Sequence, residues 1–285
     1  MQSGSSARIR RILNAVVRRG STAAARVPML QRPLFALYSR LFPDAPWMRT
    51  HPFDRQFGTD TSGFLPNWLL RSGLSANRHG VCYAGCHPTG VRAALDSIPD
   101  PAGYSFLDLG CGKVRAMIVA SEYPFRGIIG VELSAELARV ANRNAKVIRA
   151  AFPRRVPIKA RNGDAAQADL PAGSLVVFNY HAFGRELVDR IVRRLDEEVV
   201  AAGSEVFFIY ENPVHSDALD SIPGFTRWFA GNVPCDPAER GFSADDDDRV
   251  VVWRGGGPPR QAHDRADTSI VVTKSGLRAE VPARP

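Results

Sequence analysis

Residues 104–113 read Tyr-Ser-Phe-Leu-Asp-Leu-Gly-Cys-Gly-Lys, an apolar run that ends in a glycine pair. Tyr104 to Leu109 has the composition of a buried strand, and Gly110 and Gly112 stop it. Residues 113–123 then read as a helix ended by Pro124. A strand, a glycine turn and a helix place backbone N–H groups at the helix start, where a ligand can approach closely.

Outward from this unit the alternation repeats. Residues 126–132 (RGIIGVE) give a second strand, and residues 135–150 a helix capped by Ser134. A third strand lies within 156–164, a fourth at 174–180 and a fifth at 205–213. Between the last two, residues 186–202 form an amphipathic helix. Residues 225–231 and 249–254 add two strands close in sequence. The pattern predicts an α/β, Rossmann-like doubly wound sheet, mostly parallel, with ligands at the strand C-termini. The short connection between the last two strands predicts an antiparallel edge. Residues 88–98 read as a further helix that starts at Pro88 and Thr89.

The charge is uneven. The chain has 285 residues and a formal net charge of +8. Residues 1–49 hold nine Arg and one acid, Asp44, so residues 50–285 are balanced. A nucleic-acid groove needs positive charge on the folded body, so nucleic acid is not the expected partner. The basic arm contains Ile9, Ile12, Leu13, Val16 and Val17 on one helical face, with Arg8, Arg10, Arg11, Arg18 and Arg19 on the other. Such a helix lies on an anionic membrane surface or acidic partner, serves as a transit segment, or packs on the body. The domain reading is a basic N-terminal arm with this helical extension at 1–49, a main domain at 50–254 and a Gly/Pro-rich tail at 255–285. Within the tail, residues 268–274 can add a short strand. No secretory signal is read at the start. Four Cys in a chain this long suit a reducing cytoplasm better than a disulfide framework.

The chemistry gathers at the strand ends. Asp108 precedes the glycine turn, Glu132 ends the second strand, and Asp164 follows the third. An acid at the second place can accept both hydroxyls of a ribose, and one at the third can accept from an adenine amine. A dinucleotide fingerprint would need a third glycine where Arg115 stands, so a nicotinamide cofactor is disfavoured and S-adenosyl-L-methionine is favoured. His181 stands one step past the fourth strand and is the candidate proton acceptor. Tyr180, Tyr210 and Glu211 are expected to form walls. Cys82, Cys86 and His87 are too few for a structural zinc, so no metal ligand is assigned. The acidic run at residues 245–248 is expected in a solvated loop, since it lacks the spacing of a calcium site.

Leu-Asp-Leu-Gly-Cys-Gly-Lys (107–113), Gly-Val-Glu-Leu-Ser (130–134) and Asn-Gly-Asp-Ala (162–165) together resemble the class I S-adenosylmethionine-dependent methyltransferases. More narrowly, residues 121–144 are similar to a bacterial group distantly akin to the non-SET histone-lysine methyltransferases. The likeness extends to FDRQFGTDTSG (53–63), NYHAFG (179–184) and IYENPVH (209–215). It implies a seven-stranded sheet whose last strand is antiparallel. It implies that Asp108, Gly110 and Gly112 line the methionine end, that Glu132 holds the ribose, and that Asp164 and Ala165 meet the adenine. It also makes Asp60 and Thr61 candidates for a lid over the cofactor. Two departures are visible. Val114 stands where relatives carry a third glycine, and a β-branched residue there narrows the methionine pocket and resists positive φ. His181, Ala182 and Phe183 stand where relatives often have Asn-Pro-Phe. The expected activity is methyl transfer to an N or O nucleophile of an unknown acceptor, a small molecule or protein side chain. The alternatives are a non-catalytic cofactor-binding or scaffold protein, and a nucleotide-sugar or nicotinamide enzyme.

Overall fold

The computed structural model describes residues 49–66, 82–242, 247–261, 269–273 and 276–280, with isolated positions besides. The basic helix expected at 7–19 lies outside the described residues. The chain begins with α1 (Pro52–Phe57), β1 (Phe64–Pro66), β2 (Cys82–Ala84) and α2 (Pro88–Asp96). The regular alternation follows: β3 (Ser105–Leu109), α3 (Arg115–Ala120), β4 (Gly127–Glu132), α4 (Ala135–Ala151), β5 (Ile158–Asn162), β6 (Leu175–Tyr180) and α5 (Arg185–Leu195). It ends with β7 (Val206–Glu211), α6 (Asp217–Asp220), β8 (Phe225–Pro234), β9 (Asp247–Gly255), β10 (Ser269–Thr273) and β11 (Gly276–Glu280).

Seven strands form one sheet in the order β5-β4-β3-β6-β7-β9-β8. Strands β3 to β7 pair in parallel, and β9 runs antiparallel to both β7 and β8. This is the sheet that the methyltransferase resemblance implies. The antiparallel strand is last in sequence within the sheet but not at its edge, because β9 inserts between β7 and β8. Strands β6 and β7 sit mid-sheet with nearly every residue buried, which explains their continuous apolar runs. Phe178, Phe207 and Ile209 join the core under α2 and α3, while Val177, Phe208 and Tyr210 join the core under α5 and α6.

Every strand read from the sequence is present, and β1, β2 and β11 are additional to that reading. Ser134 caps α4, accepting from the Leu137 N–H at 3.4 Å. The helix expected at 186–202 is α-helical only to Leu195 and continues as a π-turn over Asp196–Val200. The tail is more ordered than expected, since β10 and β11 form an antiparallel hairpin. The acidic run also needs correction. Asp248 is buried, in β9, and packs against Gly90 of α2, so it is not a solvated loop residue. The charge pattern alone hid a strand start.

Candidate functional site

The glycine loop sets the geometry. Gly110 and Gly112 have φ of 79° and 53°, the left-handed region that side chains disfavour. A Cβ on Gly110 would stand 2.7 Å from the Ala182 Cβ, and one on Gly112 would overlap the Tyr83 ring. The N–H groups of Gly110 and Cys111 both donate to the Val131 carbonyl, at 2.9 and 3.1 Å, which ties the loop to β4. Val114 takes φ 70° and ψ 25° at the start of α3. Its side chain is fully buried in the core and does not line the cleft. The expectation that it narrows the methionine pocket therefore fails, and the expected resistance to positive φ is overcome by the surroundings.

The cleft at the strand ends brings together Asp108, Gly110, Gly112, Glu132, Asp164, Ala165 and His181. Glu132 is buried. Its Oε2 accepts the Gly112 N–H at 2.9 Å and its Oε1 accepts the Ser134 N–H at 2.7 Å. Burial still raises its pKa, outweighing those hydrogen bonds. Asp108 is buried beside it, and burial followed by the Glu132 charge pushes its carboxyl well above the usual carboxylate range. Asp164 is half-buried and caps a short 3-10 turn through the Ala166 N–H at 2.9 Å.

Among the described residues two cations, Lys113 and Arg115, border the cleft, and both are committed. Lys113 Nζ donates to Asp60 Oδ1 at 2.8 Å and to the Ser62 carbonyl at 2.7 Å. Arg115 is buried and donates to Thr61 Oγ1 at 2.8 Å, the Thr61 carbonyl at 2.9 Å and the Cys86 carbonyl at 3.0 Å. Through these contacts it fastens the N-terminal segment.

That segment is where the sequence reading missed most. Asp54 of α1 is buried, and its carboxylate accepts from the Thr59 hydroxyl, the Thr61 N–H and hydroxyl, and the Ser62 hydroxyl. Arg115 Nη2 stands 4.0 Å from it. Burial opposes the charge, but the hydrogen bonds from Ser62 and Thr61 hold the Asp54 carboxyl below its ordinary value. Asp60 and Thr61 belong to this clasp and do not line the cleft. Asp60 exposes its carboxylate beside Lys113, and Thr61 is fully buried. The Asp-Thr-Ser signal lay in plain view at 60–62, but its partner Asp54 is legible only from contacts.

His51, His87 and Glu239 form a buried trio whose ligating atoms lie within 4.8 Å of one another. The N–H of Phe53 donates to His51 Nδ1 at 3.1 Å, so the neutral ring carries its proton on Nε2. A protonated nitrogen donates and does not ligate, so His51 acts here as a hydrogen-bonding cap. Burial, then the Arg115 charge, lowers its pKa to about 4.

On the other side of the glycine loop, His181 follows β6 with φ 36° and Asn212 follows β7 with φ 51°, and both line the cleft. Tyr180 is a cleft wall, as expected. Tyr210 and Glu211 are buried in the core and do not reach the cleft. His181 Nδ1 is enclosed with no hydrogen-bond partner. The His215 ring, which ends the segment 209–215 and has no role assigned from sequence, stands 5.9 Å from the His181 ring.

No family model matches the chain, and no curated protein matches it. Solved structures with a similar fold include TrmN from Thermus thermophilus, 17% identical with a TM-score of 0.43, matched over 59% of this chain and 48% of that one. The match thus spans about half the length of the Thermus protein. An RNA methyltransferase from Salinibacter ruber, solved with S-adenosyl-L-homocysteine, is 20% identical over 61% of this chain and 94% of its own, with a TM-score of 0.38. Magnesium protoporphyrin IX methyltransferase from Synechocystis, solved with S-adenosylmethionine, is 14% identical over 58% and 76%, with a TM-score of 0.41.

Proposed function

We infer that the protein is an S-adenosyl-L-methionine-dependent methyltransferase acting on an N or O nucleophile. The observation that carries this reading is electrostatic. The cleft holds Asp108, Glu132 and Asp164, and the two cations among its described residues are committed to the clasp. Buried carboxylates without a cationic partner favour a ligand that brings positive charge. S-adenosylmethionine brings a sulfonium and an ammonium, plus a ribose diol and an adenine amine for the two outer acids. A dinucleotide would bring a pyrophosphate against Asp108 and Glu132, with only the six-residue α3 to receive it. In this reading Asp108 and the glycine loop hold the methionine end, Glu132 the ribose, and Asp164 with Ala165 the adenine. The cofactor supplies an electrophilic methyl, while the protein aligns the nucleophile and removes its proton. In this reading His181, on the cleft wall, takes that proton.

The second reading is a cofactor-binding or scaffold protein without turnover, motivated by His181, Ala182 and Phe183 standing where the resemblance implies Asn-Pro-Phe. Isothermal titration with S-adenosylmethionine, S-adenosylhomocysteine and NAD tests the cofactor, and methyl transfer separates the two readings. Glu132→Ala is expected to weaken cofactor binding by about 1.5–3 kcal/mol, the scale of lost charge-assisted hydrogen bonds. Unchanged affinity in the folded variant removes Glu132 from the site. The kinship to the non-SET histone-lysine methyltransferases and a cytoplasmic setting belong to the same reading. No described helix is long and apolar enough to cross a membrane. For the basic arm, association with an anionic surface is tested by vesicle co-sedimentation with and without residues 1–27, at low and high salt.

A further inference from the structure

The body of the chain is neutral as a whole, but its charge is segregated. Residues 135–162 hold eight basic residues and one acid, Glu136, so the remainder of residues 50–285 carries an equal excess of acid. Arg139, Arg143, Lys146 and Arg149 lie exposed on α4, at spacings of four and three that put them on one side of the helix. Arg154 is exposed in the turn that follows, and Lys159 and Arg161 are exposed on β5, the edge strand of the sheet. Arg149 donates to the carbonyls of Pro153 and Arg155, at 2.8 and 3.5 Å, which leaves its charge in place. Among the described residues Arg155 pairs with Glu122 at 3.8 Å and Arg161 with Asp169 at 3.1 Å; the other six cations have no acidic partner. The stretches 1–43 and 67–81, largely outside the described residues, contain no acid that could neutralise this face.

A helix face that only meets water does not need a single sign. On α5 and the π-turn after it, Arg185 pairs with Asp189, Arg190 with Glu186 and Arg194 with Glu198, opposite charges four apart at 2.8, 3.4 and 2.6 Å. On α4 the corresponding neighbours are Arg139 with Arg143, Arg143 with Lys146 and Lys146 with Arg149. Like charges so placed destabilise a helix, and a polyanion lying across them relieves the repulsion. We propose that α4 and the β5 edge form a sequence-independent binding face for single-stranded nucleic acid. The four cations of α4 span about 15 Å, room for roughly four phosphates of a stacked strand at about 3.4 Å each. The helix has no aromatic residue for base stacking, so its contacts are to phosphate. An anionic membrane fits less well. Leu137, Ala141 and Ile148 of α4 are buried in the protein, and Val147 is the one large apolar residue it exposes, so little is left to enter the acyl layer. Lys159 also lies on the other face of the sheet, because Ile158 and Ala160 alternate with it and pack on the same core as Ala141 and Ile148. A plane meets one of these faces, whereas a flexible strand follows the turn around the β5 edge.

The test measures fluorescence anisotropy of a labelled oligodeoxythymidylate with the full chain over a range of salt concentrations. Each phosphate contact on a single strand contributes about 0.7 to the slope of log affinity against log salt. The triple variant Arg139→Gln, Arg143→Gln, Lys146→Gln should therefore have a slope shallower by about 2 and bind about a hundredfold more weakly at about 0.1 M salt. The same variant should be at least as stable in urea as the wild type, because the like-charge repulsion is gone. Arg154→Gln with Lys159→Gln, off the helix, should cost about twentyfold and flatten the slope by about 1.4. The control Arg185→Gln, Arg190→Gln, Arg194→Gln removes as much positive charge from α5, where each Arg is already paired, and should change affinity less than about twofold. None of the α4 and β5 cations lines the cofactor cleft, so S-adenosylhomocysteine affinity should be the same in every variant. An equal loss in the α5 control would reduce the effect to net charge and overturn the proposal. So would full affinity in the α4 variant with binding lost on Arg10→Gln, Arg11→Gln, Arg18→Gln in the basic arm. An α4 variant that loses phosphatidylserine vesicles and keeps the oligonucleotide would assign the face to a membrane instead. A drop in its urea stability would show that the cations serve the fold.

Discussion

Replacing Val114 by Gly and by Ala separates two opposing effects at one residue. A non-glycine residue in the left-handed region costs about 1–2 kcal/mol. Val114 carries that cost while its side chain is fully buried. Truncation to Ala removes two methyl groups at about 0.8 kcal/mol each plus a cavity contribution, so about 2 kcal/mol should be lost. Truncation to Gly removes a third carbon and adds unfolded-chain freedom, together a further 1–2 kcal/mol, roughly. Relief of the strain cancels this second step. The two variants should therefore unfold in urea with equal stability, within about 0.5 kcal/mol, although Gly elsewhere in a helix is worse than Ala by up to about 1 kcal/mol. S-adenosylhomocysteine affinity should be unchanged in both, since the side chain faces the core. A Gly variant less stable than Ala by more than about 1 kcal/mol would show an unstrained backbone. A several-fold gain in affinity for the Gly variant would place the side chain in the methionine pocket after all.

Asp54→Asn should destabilise the protein by about 3–5 kcal/mol, the cost of breaking a buried ion pair, read by urea denaturation. A loss below about 1 kcal/mol would show that the clasp contributes little. His51 has a folded pKa near 4 against an ordinary 6.5, so the folded state binds fewer protons and stability falls as pH drops between those values. His51→Asn keeps a capping acceptor and should lessen the fall in Tm between pH 7 and pH 5; an identical fall refutes the assignment. Burial and then the Glu132 charge raise the Asp108 carboxyl above its usual range, and a ligand ammonium favours its ionised form. Cofactor binding should thus release protons and tighten as pH rises, detected by titration in buffers of different ionisation heat. Flat affinity without proton release would separate Asp108 from the ligand.

Local periodicity made the strands legible, because each one alternates or is continuously apolar over its own residues. The three acids were legible for the same reason: each stands where a strand ends. Long-range pairing was not. Nothing in residues 247–255 says that they insert between β7 and β8, since that choice is made by strands far apart in sequence. The same holds for Arg115 and Thr61, separated by 54 positions and joined by two hydrogen bonds, one to the Thr61 hydroxyl and one to its carbonyl. Asp248 was misread because a run of like charges reads as solvated, while its burial depends on Gly90 leaving room for it. His215 ends the segment 209–215 without a role assigned to it, because its nearness to His181 is made by the fold and not by the local sequence.

The clasp explains how the glycine loop tolerates the wrong residue. Val114 has pinned neighbours on both sides. Before it, the Lys113 carbonyl accepts from Asn144 Nδ2 at 3.0 Å, and its ammonium is held by Asp60 and Ser62. After it, Arg115 is held by Thr61 and Cys86. Asn144 also binds the Asp60 backbone twice, at 2.9 Å through each side-chain atom, so α4, the N-terminal segment and the loop form one lattice. Strain of about 1–2 kcal/mol survives only where several independent contacts would have to break to release it. Here relaxing Val114 would turn Lys113 and Arg115 out of their places and open the buried Asp54 cluster. The departure from the glycine pattern and the buried arginine are thus two sides of one arrangement. The same contacts that commit Lys113 and Arg115 keep both from Asp108 and Glu132, and the proposal of a cationic cofactor rests on that.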